Sequence, residues 1–245
     1  MKKLTATFIL LLVISSSAFA APLQPVFSTV EKEYDAFLST LKDLVSIESG
    51  SRDREGLDKI SALIFHRLEA LGARVEFIEP DQSMYRMHDT PDRPGRMVKA
   101  ELIGSGTKKI LLIAHMDTVY LKGMLAKQPF RVDGDRAYGL GISDDKQGIA
   151  LILHTLSALQ KIDFNSYGKI TVLINGDEEI SSPASRSYLS ALGAAHDATF
   201  SCEASQAKSD RLALTTAGIG AVNLNIVGKA SHAGAAPELG RNALE

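Results

Sequence analysis

Cysteine is almost absent from this sequence of 245 residues: Cys202 is the only one. No intramolecular disulfide can form, so the fold has to be held by its core. An excess of one charge is lacking too. The 27 Lys and Arg stand against 29 Asp and Glu, which leaves no basic footprint for a nucleic-acid partner. No apolar run reaches the length of a bilayer span. There is no internal repeat and no low-complexity tract. What remains, 45% hydrophobic and 23% charged residues, is the composition of an ordinary globular protein with length for roughly one to two domains.

The first twenty residues stand apart. Lys2 and Lys3 form a basic start, Ala6 to Ile14 an apolar run, and Ala18-Phe19-Ala20 a small-x-small cleavage signal. This is the pattern of a secretory signal peptide cut before Ala21, which implies a periplasmic or secreted protein with no membrane attachment after cleavage. Losing Lys2 and Lys3 leaves 25 basic residues against 29 acidic ones, a net of −4. Export implies an oxidising compartment, yet Cys202 has no partner, so it is expected to be a structural residue near a strand end.

Taken in order, residues 21 to 29 hold two prolines and predict an extended leader. Val30, Tyr34, Phe37, Leu38, Leu41, Leu44 and Val45 recur at helical spacing, as do Leu57, Ile60, Ile64, Leu68 and Leu71, with Gly72 as a stop. Strands are predicted at Arg74–Ile78, Met97–Ile103 and Lys109–Ala114, the last two joined by Gly104-Ser105-Gly106-Thr107 as a hairpin. A second hairpin turns at Asp133-Gly134-Asp135. Lys146–Leu159 predicts a buried helix, Ile170–Ile174 a buried strand, and Ser185–Leu192 a short helix ending at Gly193. Further strands are predicted at Ala198–Cys202, Arg211–Thr215 and Gly218–Lys229. Strands mixed with helices predict an α/β fold around a mixed sheet.

The chemistry sits at strand ends. Ile170–Ile174 runs into Asp177, Glu178 and Glu179. Burying ionised carboxylates there costs several kcal/mol unless a cation or donor compensates them. Lys109–Ala114 delivers His115 and then Asp117; the second hairpin delivers Asp144 and Asp145; Ala198–Cys202 delivers Glu203. Each signal has a plain alternative. The acidic triplet could cap a solvated loop, and His115 could be a satisfied histidine at a strand end. Together, His, Asp and Glu in this order suit a borderline divalent cation, zinc being the usual choice. Gly139-Leu140-Gly141 lacks the third glycine of a dinucleotide loop and has acids where phosphates would sit. His66, His88, His154 and His196 carry no functional case; His154 reads as a satisfied core histidine and the others as surface.

At AHMDTVYLKGMLAKQPFRVDGDRAYGLGISDDKQG, INGDEEISS, SCEAS and GKASHAGAAPELGRNAL the sequence resembles the zinc-dependent aminoacylase and carboxypeptidase family of metallopeptidases, from about residue 30 onward. Within it, the likeness is strongest to the exported glutamate carboxypeptidases that cleave folates. The resemblance implies an α/β/α catalytic domain over 21–216 and the beginning of an α+β dimerisation domain over 217–245. It implies two zinc ions, with His115, Asp144 and Glu203 on one, Asp144 bridging, and Glu179 on the other. Glu178 would be the general base, Asp117 would orient His115, and His232 would stabilise the oxyanion in a partner subunit. It also implies a cis bond between Asp144 and Asp145. The reaction would be metal-assisted hydrolysis of an amide, releasing C-terminal glutamate from a small peptide or N-acyl amino acid, with a homodimer as the working form. The runner-up is a deacylase of acyl amino acids or acyl diamines.

Two features depart from the family pattern. Gln147 and Ser181 stand where glycine is usual, which matters if either backbone needs positive φ. Family chains also continue beyond the point matching Glu245, returning with a last metal-binding histidine and an arginine for the substrate carboxylate. The chain is therefore expected to be partial, with a non-catalytic metal-binding remnant as the alternative.

Overall fold

The computed structural model describes residues 24–81, 83–87, 89–205, 212–218, 220, 222 and 224–244. The signal segment and His88 lie outside the described residues. Five strands form one mixed sheet: β1 (Arg74–Ile78), β2 (Met97–Ile103), β3 (Lys109–His115), β6 (Lys169–Asn175) and β7 (Ala198–Ser201). Their spatial order is β1-β2-β6-β3-β7. β1, β2 and β6 alternate in direction, while β6, β3 and β7 run parallel. A separate hairpin pairs β4 (Arg131–Asp133) with β5 (Arg136–Tyr138).

β6 is the centre of this sheet, and its sequence says why. Ile170 to Asn175 is buried throughout, as a strand covered on both faces must be. Each fully buried Val, Leu or Ile there contributes about 1.5–3 kcal/mol. One face packs on α2 (Tyr34–Val45), α3 (Arg54–Ala70) and α4 (Gln147–Lys161), where Leu44, Leu57, Ile60, Ile64, Ile149, Ile152 and Leu156 meet Val98, Ala100, Val172 and Ile174. The other face, with Met97, Leu111 and Leu173, packs on Tyr188, Leu189 and Leu192 of α5 (Arg186–Ala195). Helices on both faces of a mixed sheet give the expected three-layer α/β/α order. Among the described residues no helix is long and apolar enough to cross a membrane.

Several expectations need correction. Residues 24–32 form a helix, α1 (Gln24–Lys32), rather than an extended leader. Pro25 lies in its first turn, where no amide donor is required. The helical stripe predicted from Val30 breaks at Glu33, which turns inward. It is 5% exposed, accepts from His154 Nδ1 at 2.7 Å and pairs with Lys161. Val30 and Tyr34 are left in solvent. His154 also bonds Thr40 Oγ1 at 2.9 Å, so it is satisfied as expected. His196 is half-buried instead of a surface residue, between the Leu192 carbonyl at 2.6 Å and Thr171 Oγ1 at 2.8 Å. α5 runs through Gly193, since its backbone does not adopt the positive φ of a helix stop.

The Gly104–Thr107 segment is not a hairpin between β2 and β3, because β6 lies between those strands. Its glycines serve close approach. A Cβ on Gly104 would overlap the Tyr167 carbonyl and one on Gly106 the Ser166 carbonyl. The segment instead bonds the entry to β6, with Ser105 N to Asn165 O and Gly106 N to Tyr167 O both at 2.8 Å. Among the described residues of 212–229 there is no strand: Val222, Leu224 and Ile226 are exposed, and only Lys229 bridges, to Arg241. Arg211 lies outside the described residues.

Candidate metal centre

β6, β3 and β7 are adjacent and parallel, so their carboxyl ends open onto one place. In the register, His115 stands opposite Asn175 and Ile113 opposite Ser201. The residues just past β6 and β7 therefore flank His115, which places Asp177–Glu179 on one side and Glu203 on the other. The tight turn Ile142–Lys146, leading into α4, brings Asp144 and Asp145 to the same edge. The bond between these two is cis.

His115 is buried, and its Nε2 faces a ring of carboxylates. Asp144 Oδ1 is 3.0 Å away, Glu203 Oε1 3.3 Å and Glu178 Oε2 3.9 Å. Donor atoms of His115, Asp144 and Glu179 all lie within 4.8 Å of one another, and so do those of His115, Asp145 and Glu203. All four residues expected as ligands, His115, Asp144, Glu179 and Glu203, are thus brought together. Asp145, outside the expected ligand set, is there as well. Its carboxylate, however, already accepts from His115 N at 3.3 Å, Gly148 N at 3.2 Å and Gln147 Nε2 at 3.3 Å. The Asp144 side chain is 63% exposed at the cluster's open side.

Asp117, wholly buried, ties the cluster together. Its carboxylate accepts the backbone N–H groups of Glu178 at 3.0 Å and Glu179 at 3.1 Å, and the Ser51 hydroxyl at 2.8 Å. With its carboxylate so occupied, its backbone carbonyl is the nearer acceptor for His115 Nδ1, at 3.0 Å against 3.4 Å for Oδ1. Either contact leaves Nε2 turned to the acids. His232 is exposed, and among the described residues no bond joins it to this cluster. Its Nδ1 accepts from Gly234 N at 3.2 Å and Ala235 N at 3.0 Å, which places the ring proton on Nε2.

A match to the model of peptidase family M20/M25/M40 covers residues 111–238, just over half of the chain and all of this cluster. The chain belongs to this family. As an M20 chain it is 45% identical to Carboxypeptidase G2 of Pseudomonas sp. (strain RS-16) over 219 residues, 89% of this chain and 51% of that protein. It is 30% identical to the Beta-Ala-His dipeptidase of Homo sapiens over 195 residues, 72% of this chain and 38% of that one. Among solved structures, human carnosine dipeptidase 1 is similar with a TM-score of 0.59 and 26% identity, covering 73% of this chain and 40% of that one. The chain spans about half the length, or less, of the curated relatives it matches.

The electrostatics of the M20 cluster call for a cation. Burial, then the charge of Asp144, pushes Glu179 up to about 7. Burial, then Glu203, pushes Asp145 up to about 8, and burial raises Glu178. Burial alone would lower His115, but its bonds to Asp117 and Glu203 push it up to about 12. Carboxylates that resist ionisation around an imidazole that clings to its proton are short of positive charge. One ring nitrogen and several carboxylate oxygens, already converged, fit a divalent cation. Burial, and then the charges of Asp145 and Glu203, pushes the neighbouring Cys202 thiol up to about 11, away from the thiolate form.

Of the two positions where glycine was the expectation, Gln147 is an ordinary helical residue with φ −66°. Ser181 does adopt the left-handed conformation, with φ +70°, and Ser182 follows at +52°. Each non-glycine residue held there costs roughly 1–2 kcal/mol. Ser51, which holds Asp117, carries no signal in the sequence; the contact spans 66 residues.

Proposed function

We propose that this chain carries the catalytic centre of a zinc-dependent hydrolase that cleaves an amide bond and releases a C-terminal amino acid, glutamate, from small peptides or folate-like N-acyl compounds. The observation behind this reading is the convergence of His115, Asp144, Glu179 and Glu203 on one volume with Glu178 beside it. Similarity to a carboxypeptidase at 45% identity supports C-terminal release. In this reading His115, Glu203 and Asp144 hold one zinc, Glu179 holds a second, and Asp144 is shared. When bound, the pair lowers the pKa of water and polarises the scissile carbonyl.

Glu178 takes a proton from the attacking water and passes it to the leaving amine. Burial raises its pKa, which favours uptake of the proton it must then pass on. Asp117 keeps Glu178 and Glu179 at fixed height through their backbone amides, which leaves both side chains free to act. Residues 217–245 begin a second domain that pairs two copies of the protein. His232, with its proton on Nε2, donates to the tetrahedral oxyanion of the facing subunit.

The test is release of glutamate from N-acyl-glutamates by the zinc-loaded chain. Zinc-dependent release is expected. Bound zinc without release would overturn the hydrolase and leave a metal-binding remnant. Residues 1–20 direct export to the periplasm or beyond. The intact mass of the exported protein is expected to correspond to a start at Ala21, and a mass that retains Met1 would refute cleavage.

A further inference from the structure

The turn that carries Glu178 and Glu179 is held between two fully buried carboxylates. Asp117 grips it from the β3 side. Asp177 grips it from the other, and does so with every acceptor it has. Oδ2 accepts Ala184 N at 2.7 Å and Ser185 N at 3.0 Å; Oδ1 accepts Ser185 Oγ at 2.6 Å and Asn175 Nδ2 at 3.2 Å. Its backbone carbonyl accepts Ser182 N at 2.8 Å. The carboxylate thus closes the loop 177–185 on itself, just ahead of the first turn of α5, where negative charge is favoured.

The loop needs such a closure. Glu178–Ile180 is a three-residue turn with no side-chain cap of its own. It is followed by two serines in the left-handed region, a conformation that persists only where surrounding contacts impose it. The closure is also anchored to the opposite side of the centre. Asn175 donates to Asp177 and, at 3.1 Å, to Ser185 Oγ, while its carbonyl accepts Met116 N at 2.8 Å. Met116 directly follows His115, so Asp177 is linked in three steps to the backbone that carries the imidazole.

We infer that Asp177 is a positioning residue for the metal centre: by closing the loop 177–185 it sets where the Glu178 and Glu179 carboxylates stand relative to His115. This rests on reading the cluster as a metal centre, and it concerns metal affinity before it concerns turnover. Asp177 touches neither His115 nor the cluster's open side. It acts through the loop.

Zinc affinity, measured by competition with a chelator, separates this role from plain support of the fold. Asp177→Ala is expected to weaken zinc binding about 10–100-fold, the range for groups that orient ligands, in protein whose circular dichroism stays native. Asp177→Asn keeps an oxygen for the Ala184 and Ser185 amides and should lose less. Ser185→Ala, which deletes one bond to Oδ1, should fall between wild type and Asp177→Ala. A lower melting temperature with unchanged zinc affinity would overturn the inference. Should Asp177→Ala not fold, wild-type affinity in both Asp177→Asn and Ser185→Ala overturns it equally. Wild-type chain that binds zinc yet hydrolyses nothing defeats the proposed reaction and leaves this inference standing; a chain that binds no zinc defeats both.

Discussion

Glu178→Gln is expected to lower turnover by about 10²–10⁴-fold, the usual contribution of a general base, while zinc content stays at the wild-type level. The substitution keeps size and shape and removes only the ability to hold a proton. Glu178 belongs to neither group of converging donor atoms; those draw on Glu179, Asp144, Asp145, Glu203 and His115. Its tie to Asp117 runs through the backbone N–H, which glutamine retains, so the turn should not move. One negative charge also leaves a place where burial already disfavours it, so the metal-free fold should be no less stable. The checks are kcat on an N-acyl-glutamate, elemental analysis for zinc, and thermal unfolding. Near-normal kcat would remove Glu178 from proton transfer. Zinc lost together with activity would make it a ligand. Glu179→Gln is the contrasting case, since there zinc binding itself should weaken.

How far the sequence carried this arrangement depended on the range of each interaction. The run Ile170–Ile174 ahead of three acids announced both the central strand and the site, because burial on two faces demands a nearly continuous run of apolar and β-branched residues. His115 was legible for the same reason, closing the apolar strand β3, whereas Glu203 follows the short, exposed β7 and was legible only from its place after a predicted strand. What could not be read were pairings between distant segments. The glycines at 104 and 106 have turn chemistry, yet they are needed because the 165–168 segment packs against them. No local pattern encodes that. Ser51 and Asn175 were invisible for the same reason: a buried serine or asparagine looks ordinary until its partner carboxylate is in place. Among adjacent acids, composition could not separate Asp145, spent on backbone donors, from Asp144, which stands at the open side with Oδ1 3.0 Å from His115 Nε2. The inward turn of Glu33 belongs here too, since an acid inside a helical stripe reads as solvent-facing until Lys161 and His154 arrive.

Stripping the metal is expected to destabilise the protein by about 4 kcal/mol relative to a sample with zinc at a thousandfold its Kd, seen as a fall in Tm of roughly 8–16 °C for a chain of this size. The cause is local. Without a cation, Asp144, Glu178, Glu179 and Glu203 crowd one buried imidazole, which when protonated sets a single positive charge against them. Folding must then bury carboxylates and bring together like charges that the unfolded chain keeps apart; burial first, and then the neighbouring carboxylates, raises Glu178 and Glu179. Thermal unfolding with zinc and with excess chelator measures the difference directly. His115→Ala locates it. This imidazole is the one side chain common to both groups of converging donors, so in the variant the gap between zinc-loaded and chelated samples should close to within the error of the melt. If His115→Ala keeps the full gap, the stabilising zinc is bound elsewhere on the chain, and the strand-end cluster loses its claim to the metal.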